Sequence, residues 1–167
     1  MGDNVSSKWK RVIAVLVSLG ALVYLLLVHM GAGMTVQELQ AKKDYDRVVA
    51  TDGTITLAYR QDVKAIIFNP PEYRLEGTVY IIPASGDSFI RERADFVYNS
   101  DTHEIVKEVL EVRIFYANGM VNIPATMMAE EKLVKPAFRT IPGSADYASG
   151  VALFWANYKV DFLGAWE

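Results

Sequence analysis

"FIRERADFVYNSDTHEIVKEVLEVRIFY", residues 89–116, decides the fold. In its first arm Ile90, Ala94, Phe96 and Tyr98 fall on one side of an extended chain, and Arg91, Arg93 and Asp95 on the other. In its second arm Leu110, Val112, Ile114 and Tyr116 alternate with Glu111 and Arg113. A period of two marks a strand with one face buried and one face wet. Between the arms, Asn99-Ser100-Asp101 are residues that favour tight turns. The stretch therefore predicts an antiparallel hairpin of two long strands, Phe89 to Tyr98 and Ile105 to Tyr116.

The same character extends in both directions. Runs rich in Val, Ile, Thr, Tyr and Phe, separated by the turns Thr51-Asp52-Gly53, Ser85-Gly86-Asp87 and Asn118-Gly119, predict further strands. These are Thr54 to Tyr59, Val63 to Phe68, Tyr73 to Ile82 and Met120 to Met128, with two more at Ala145 to Trp155 and Tyr158 to Leu163. Asn69-Pro70-Pro71 marks a loop or a sheet edge, because proline gives the ladder no donor. The expected class over residues 48–167 is all-β, an antiparallel twisted jellyroll or sandwich-like domain. The chain has no Cys, which excludes disulfides and thiolate metal sites, so burial and strand pairing must hold this domain.

Ahead of it stands "VIAVLVSLGALVYLLLVHM", residues 12–30, without one acid, Lys, Arg, Asn or Gln. As a helix rising ~1.5 Å per residue it reaches roughly 28 Å, close to the ~30 Å hydrocarbon core of a bilayer. A secretory signal has a shorter apolar core of about 7 to 15 residues, so this stretch is read as a retained anchor even though Gly31-Ala32-Gly33 resembles a cleavage site. Lys8, Lys10 and Arg11 precede the span and set its orientation, with residues 1–11 cytoplasmic and the rest outside. Residues 31–47 are expected to form a juxtamembrane stalk with a short helix, since Thr35 and Glu38 have capping-box spacing.

Little in the chain suggests catalysis. The net charge is −3, acids outnumber bases beyond the anchor, and no basic run exists, so nucleic acid is not an expected partner. Only two His occur. His103, in the turn "NSDTHEI", reads as a solvated turn residue, and His29, at the end of the span, is the one candidate ligand for a tetrapyrrole metal, although interfacial placement alone explains it. Ser144 and Ser149 in "GSADYASG" lack the G-x-S-x-G elbow and a waiting base. No cofactor or metal is called for. The aromatic ending "ALFWANYKVDFLGAWE" supplies the candidate partner contacts Trp155, Tyr158 and Trp166.

The order of anchor, "VVATDGTITLAY", "YRLEGTVYIIPASGDSFIRERADFVYNSDTHEI", "EVRIFYANGMVNIPA" and "IPGSADYASGVALFWANYKVDFLGAW" resembles the LptC family, the bitopic bridge proteins of lipopolysaccharide export. The resemblance covers about residues 48–166 and implies a periplasmic β-jellyroll that hands lipid along an apolar groove. Two functions are expected. The first is a noncatalytic single-span accessory or scaffold subunit of a larger bacterial inner-membrane complex, such as a photosynthetic or respiratory supercomplex. Its partners would be the bilayer and the transmembrane helices and periplasmic surfaces of other subunits. The alternative is an LptC-like lipid-transfer bridge whose partner is lipid or lipopolysaccharide.

Overall fold

The hairpin of residues 89–116 lies within the sheet as β5 (Ser88–Asn99) and β6 (Glu104–Tyr116), paired antiparallel from Ser88↔Tyr116 to Asn99↔Glu104. The turn that joins them places His103 at φ 55, with its Nδ1 3.2 Å from the Tyr98 hydroxyl. The computed structural model describes residues 3–158 except Ala32 and Lys135. In its first helix, α1 (Asp3–Met30), side chains are described from Lys8 to Tyr24. Around the hairpin are α2 (Val36–Gln40), β1 (Tyr45–Val49), β2 (Ile55–Tyr59), β3 (Lys64–Asn69), β4 (Glu72–Ile82), α3 (Ile123–Leu133), β7 (Ala137–Arg139) and α4 (Ala145–Tyr158). The seven strands form one antiparallel sheet in the order β1-β2-β4-β5-β6-β7, with β3 also on β4.

Predominantly antiparallel sheet is therefore present as predicted, but the second layer is not a sheet. Helix α4 packs against β1, β2, β4 and β6 where a jellyroll or sandwich would put strands. The predicted strand Ala145 to Trp155 is this helix, and so is the start of the predicted Tyr158 to Leu163; the remainder of the latter lies outside the described residues. The cause is local. Ser144 Oγ accepts from the Tyr147 N–H at 3.2 Å, as an N-cap does, and the run is rich in Ala, the strongest helix former. Its buried residues Tyr147, Val151 and Phe154, together with Ala148 and Ala152, recur at three and four, which is a helical stripe. Small side chains let the helix sit close to the sheet: a Cβ on Gly150 would lie 2.8 Å from Ile105 Cδ1.

Helix α3 overturns the predicted strand Met120 to Met128 in the same way. Asn122 accepts from the Ala125 N–H at 3.1 Å, and Pro124 occupies the first turn, where its missing donor costs nothing.

A register shift in β6 corrects the face assignment. Arg93 pairs with Glu111 and Ala94 with Val109, leaving Leu110 as the extra residue of a bulge. Parity changes there, so Ile105 and Val109 as well as Val112 are buried beside α4 and α3. Leu110 is only half-buried, Tyr116 is exposed, and Phe115 is buried on the opposite face. That opposite face is closed at one end by α2. Its capping box forms, with Glu38 N–H on Thr35 and Thr35 N–H on the Glu38 carboxylate. Val36 and Leu39 are buried with Leu57, Ile82, Phe89 and Phe115. Residues 31–47 are thus not a stalk: α2 is part of the core, and β1, which starts at Tyr45, is a sheet strand.

Helix α1 covers the predicted span 12–30 and begins earlier, at Asp3. Among the described residues no helix is long and apolar enough to cross a membrane. After α1, Gly31 bridges to Met120, so the helix ends beside the β6–α3 turn.

Candidate functional site

β2 and β3 divide one edge of β4 between them. β2 pairs with Val79 to Ile82, and β3 pairs with Glu72 to Glu76 through a second register shift between Ala65 and Ile67. Among the described residues β3 pairs with β4 alone, so no described strand occupies its far edge. All six β3 residues are exposed, among them Ile66 at 44%, Ile67 at 49% and Phe68 at 59%. The Phe68 ring rests edge-on against Tyr73, 4.9 Å between centroids, and the cis Pro70-Pro71 turn closes the hairpin. An apolar edge strand with unpaired backbone donors and acceptors is a template for another strand.

A second feature lies on the sheet face opposite α4. Tyr45, Tyr59, Tyr80, Arg91, Arg93 and Glu111 line a cleft of about 300 Å³. They sit together because register places Tyr45↔Tyr59 and Arg93↔Glu111 in line across the strands. Glu111 is shared by Arg91 and Arg113, each at 3.2 Å, whereas among the described residues Arg93 has no ion-pair partner. Burial, helped by the neighbouring Tyr80 and Tyr59, pushes the Tyr45 phenol up to about 12, and burial also raises Tyr80. At neutral pH these phenols are hydrogen-bond donors.

The same shifts predict an alkaline limit to stability. The unfolded Tyr45 ionises near 10 and the folded one near about 12, so its contribution is whole below pH 10 and is lost as pH rises toward 12. Thermal midpoints measured from pH 8 to 11.5 should fall above pH 10, and Tyr45→Phe should blunt the fall.

The buried charges serve architecture. Lys107 on β6 contacts Glu92 of β5 at 2.5 Å and Asp146 in the first turn of α4 at 2.7 Å. Burial pulls the Lys107 ammonium down, but the two carboxylates outweigh it and hold its pKa above the ordinary value. Among the described residues no group of three or more His, Cys, Asp or Glu is placed to hold a metal.

Among the described residues the sequence candidates do not meet at one site. Lys8, Lys10 and Arg11 lie exposed on α1, and His29 lies on α1 with its side chain outside the described residues. Trp155 is half-buried on α4, Tyr158 ends that helix with its side chain undescribed, and Trp166 lies outside the described residues. The open edge of β3 was legible only in part. Asn69-Pro70-Pro71 pointed to a sheet edge, and the unbroken apolar run Ala65 to Phe68 breaks the alternation seen in residues 89–98. No protein-family model, no curated protein and no solved structure matches the chain.

Proposed function

We propose that the chain is a noncatalytic, single-span accessory subunit of a larger bacterial inner-membrane complex, anchored by α1 and docked to a neighbouring subunit through β3. The observation that carries the reading is the edge of β3, exposed along its whole length and apolar from Ala65 to Phe68. A partner strand would complete its ladder, with main-chain hydrogen bonds supplying affinity and Ile66 and Ile67 supplying specificity. The anchor rests on the apolar run of residues 12–30, which continues past Tyr24, the last α1 side chain described, and so past the stretch found too short to span, and on Val15, Leu16 and Val17. These are consecutive, hence spread around the helix, and all are exposed, as suits a helix solvated by lipid. The N-terminus is cytoplasmic in this reading, from Lys8, Lys10 and Arg11, and the sheet is periplasmic. From Ile82, packed under α2, to Tyr73 at the β3 hairpin is roughly 30 Å at ~3.3 Å per residue, so β3 lies at the end of β4 remote from α2.

One observation favours the alternative LptC-like lipid-transfer bridge. An apolar cleft of about 340 Å³ between β1 and α4, lined by Val48, Ala50, Tyr147, Ala148 and Val151, offers room to part of an acyl chain.

The test is the paired variant Ile66→Asp/Ile67→Asp in the full chain, isolated in mild detergent. Membrane subunits recovered with it should fall by about tenfold or more, equivalent to ~1.4 kcal/mol. The thermal midpoint should hold, since exposed substitutions usually change stability within about 0.5 kcal/mol. Unchanged recovery from a folded variant rules out β3 as the docking edge.

A further inference from the structure

A second exposed apolar patch lies at the other end of the sheet. Met120, at the β6–α3 turn, and Ile123 and Met127, one turn apart on α3, are all exposed. Ile123 and Met127 are four residues apart and therefore share a helix face. What fixes the place of this patch is backbone. Gly31, the residue after the end of α1, bridges to Met120, and Gly119 lies so close to Met34 that a Cβ there would collide with the Met34 carbonyl oxygen. Gly119 has φ +83, so the turn is open to glycine on both counts. The acids of α3, Glu130 and Glu131, come only in its last turns, away from Met120.

We infer that Met120, Ile123 and Met127 form a foot that rests in the headgroup layer of the bilayer entered by α1. The inference rests on the reading of α1 as the anchor. If Met30 ends the span, Gly31 is the first residue beyond the hydrocarbon boundary and Met120, its bridge partner, lies about 5 Å from Gly31, beside a polar layer roughly 5–8 Å deep. Apolar side chains held at that depth leave water, whereas Glu130 and Glu131 remain outside it. The sheet would then be held by two contacts with the membrane, one through α1 and one through the start of α3. This fixes its tilt and presents β3 at a constant height.

The absence of Cys makes the test clean. Single Cys are placed in the full chain at Leu19, Ile123, Met127 and Phe68, spin-labelled, and reconstituted in vesicles of phosphatidylcholine and phosphatidylglycerol. Collision with dissolved oxygen and with a water-soluble nickel chelate then reports depth, each variant first being shown to keep the wild-type thermal midpoint. Met120→Cys replaces any variant that does not. Leu19 should read as hydrocarbon and Phe68 as water, while nickel accessibility at Ile123 and Met127 falls roughly threefold below that at Phe68, as for side chains ~5–10 Å into the interface. Water-like Ile123 and Met127 beside an immersed Leu19 overturn the foot and leave the anchor standing. A water-like Leu19 overturns the anchor, and the foot with it. Spin–spin broadening at Ile123 that disappears on dilution with unlabelled protein places a second copy on the patch and also overturns the foot.

Discussion

Lys107→Met is expected to destabilise the folded chain by about 3–5 kcal/mol, the cost of breaking a buried ion pair from one side. Lys107 and Glu92 are each 3% exposed, and the methionine keeps the apolar stem while deleting the charge, so Glu92 would be left buried without its cation. Asp146 is different. Its side chain is mostly exposed, and it gains little beyond orienting the first turn of α4, so Asp146→Ala should cost no more than ~1 kcal/mol. Urea unfolding of the full chain in detergent, followed by circular dichroism, would measure both. The double variant Lys107→Met/Glu92→Gln should recover most of the loss, because two neutral side chains need no mutual compensation. If the single substitution costs under ~1 kcal/mol, the pair does not lock β5 to β6 as a buried ion pair.

Phe154→Ala should cost ~3–5 kcal/mol, the range for truncating a buried phenylalanine. Phe154 is almost wholly buried, and its ring meets Tyr98 of β5 at 5.3 Å between centroids, in an edge-on contact that joins α4 to the centre of the sheet. Trp155 is half-buried on the same helix, so Trp155→Ala should cost clearly less despite the larger side chain. That ordering discriminates helix from strand. In a strand, 154 and 155 point to opposite faces, whereas in α4 they lie about 100° apart and Trp155 sits at the margin of the stripe. Equal or reversed losses in urea midpoints would show that the stripe has been misplaced.

The two long strands of residues 89–116 were legible because each half-buried strand writes its faces into consecutive residues. Ile90, Ala94, Phe96 and Tyr98 do share the side covered by α4. The turns at Gly53, Gly86 and Gly119 were legible for an equally local reason, since each has a positive φ that glycine adopts without strain. The helices after Gly119 were misread although their signals were present. Asn122 with Pro124, and Ser144 ahead of an alanine-rich run, are helix starts, but Val, Phe, Trp and Tyr drew the reading toward strand. β7 has three residues, too few to show a period, and β1 alternates but buries Asp46 with Val48, so its inward face does not read as apolar.

The sequence by itself determined the antiparallel strands from Ile55 to Tyr116, the turns between them, the capping box of α2 and the apolar run of residues 12–30. Each is a local choice made by backbone propensity and by the alternation of neighbouring side chains. Only the tertiary structure decided the rest. It put a helix in place of a second sheet, moved the inward face of β6 by one residue at Leu110, placed Lys107 between two carboxylates, and left β3 paired, among the described residues, with β4 alone. These depend on which strand lies beside which and on what covers each face. Such contacts join residues far apart in the chain, and no window of neighbouring residues contains them.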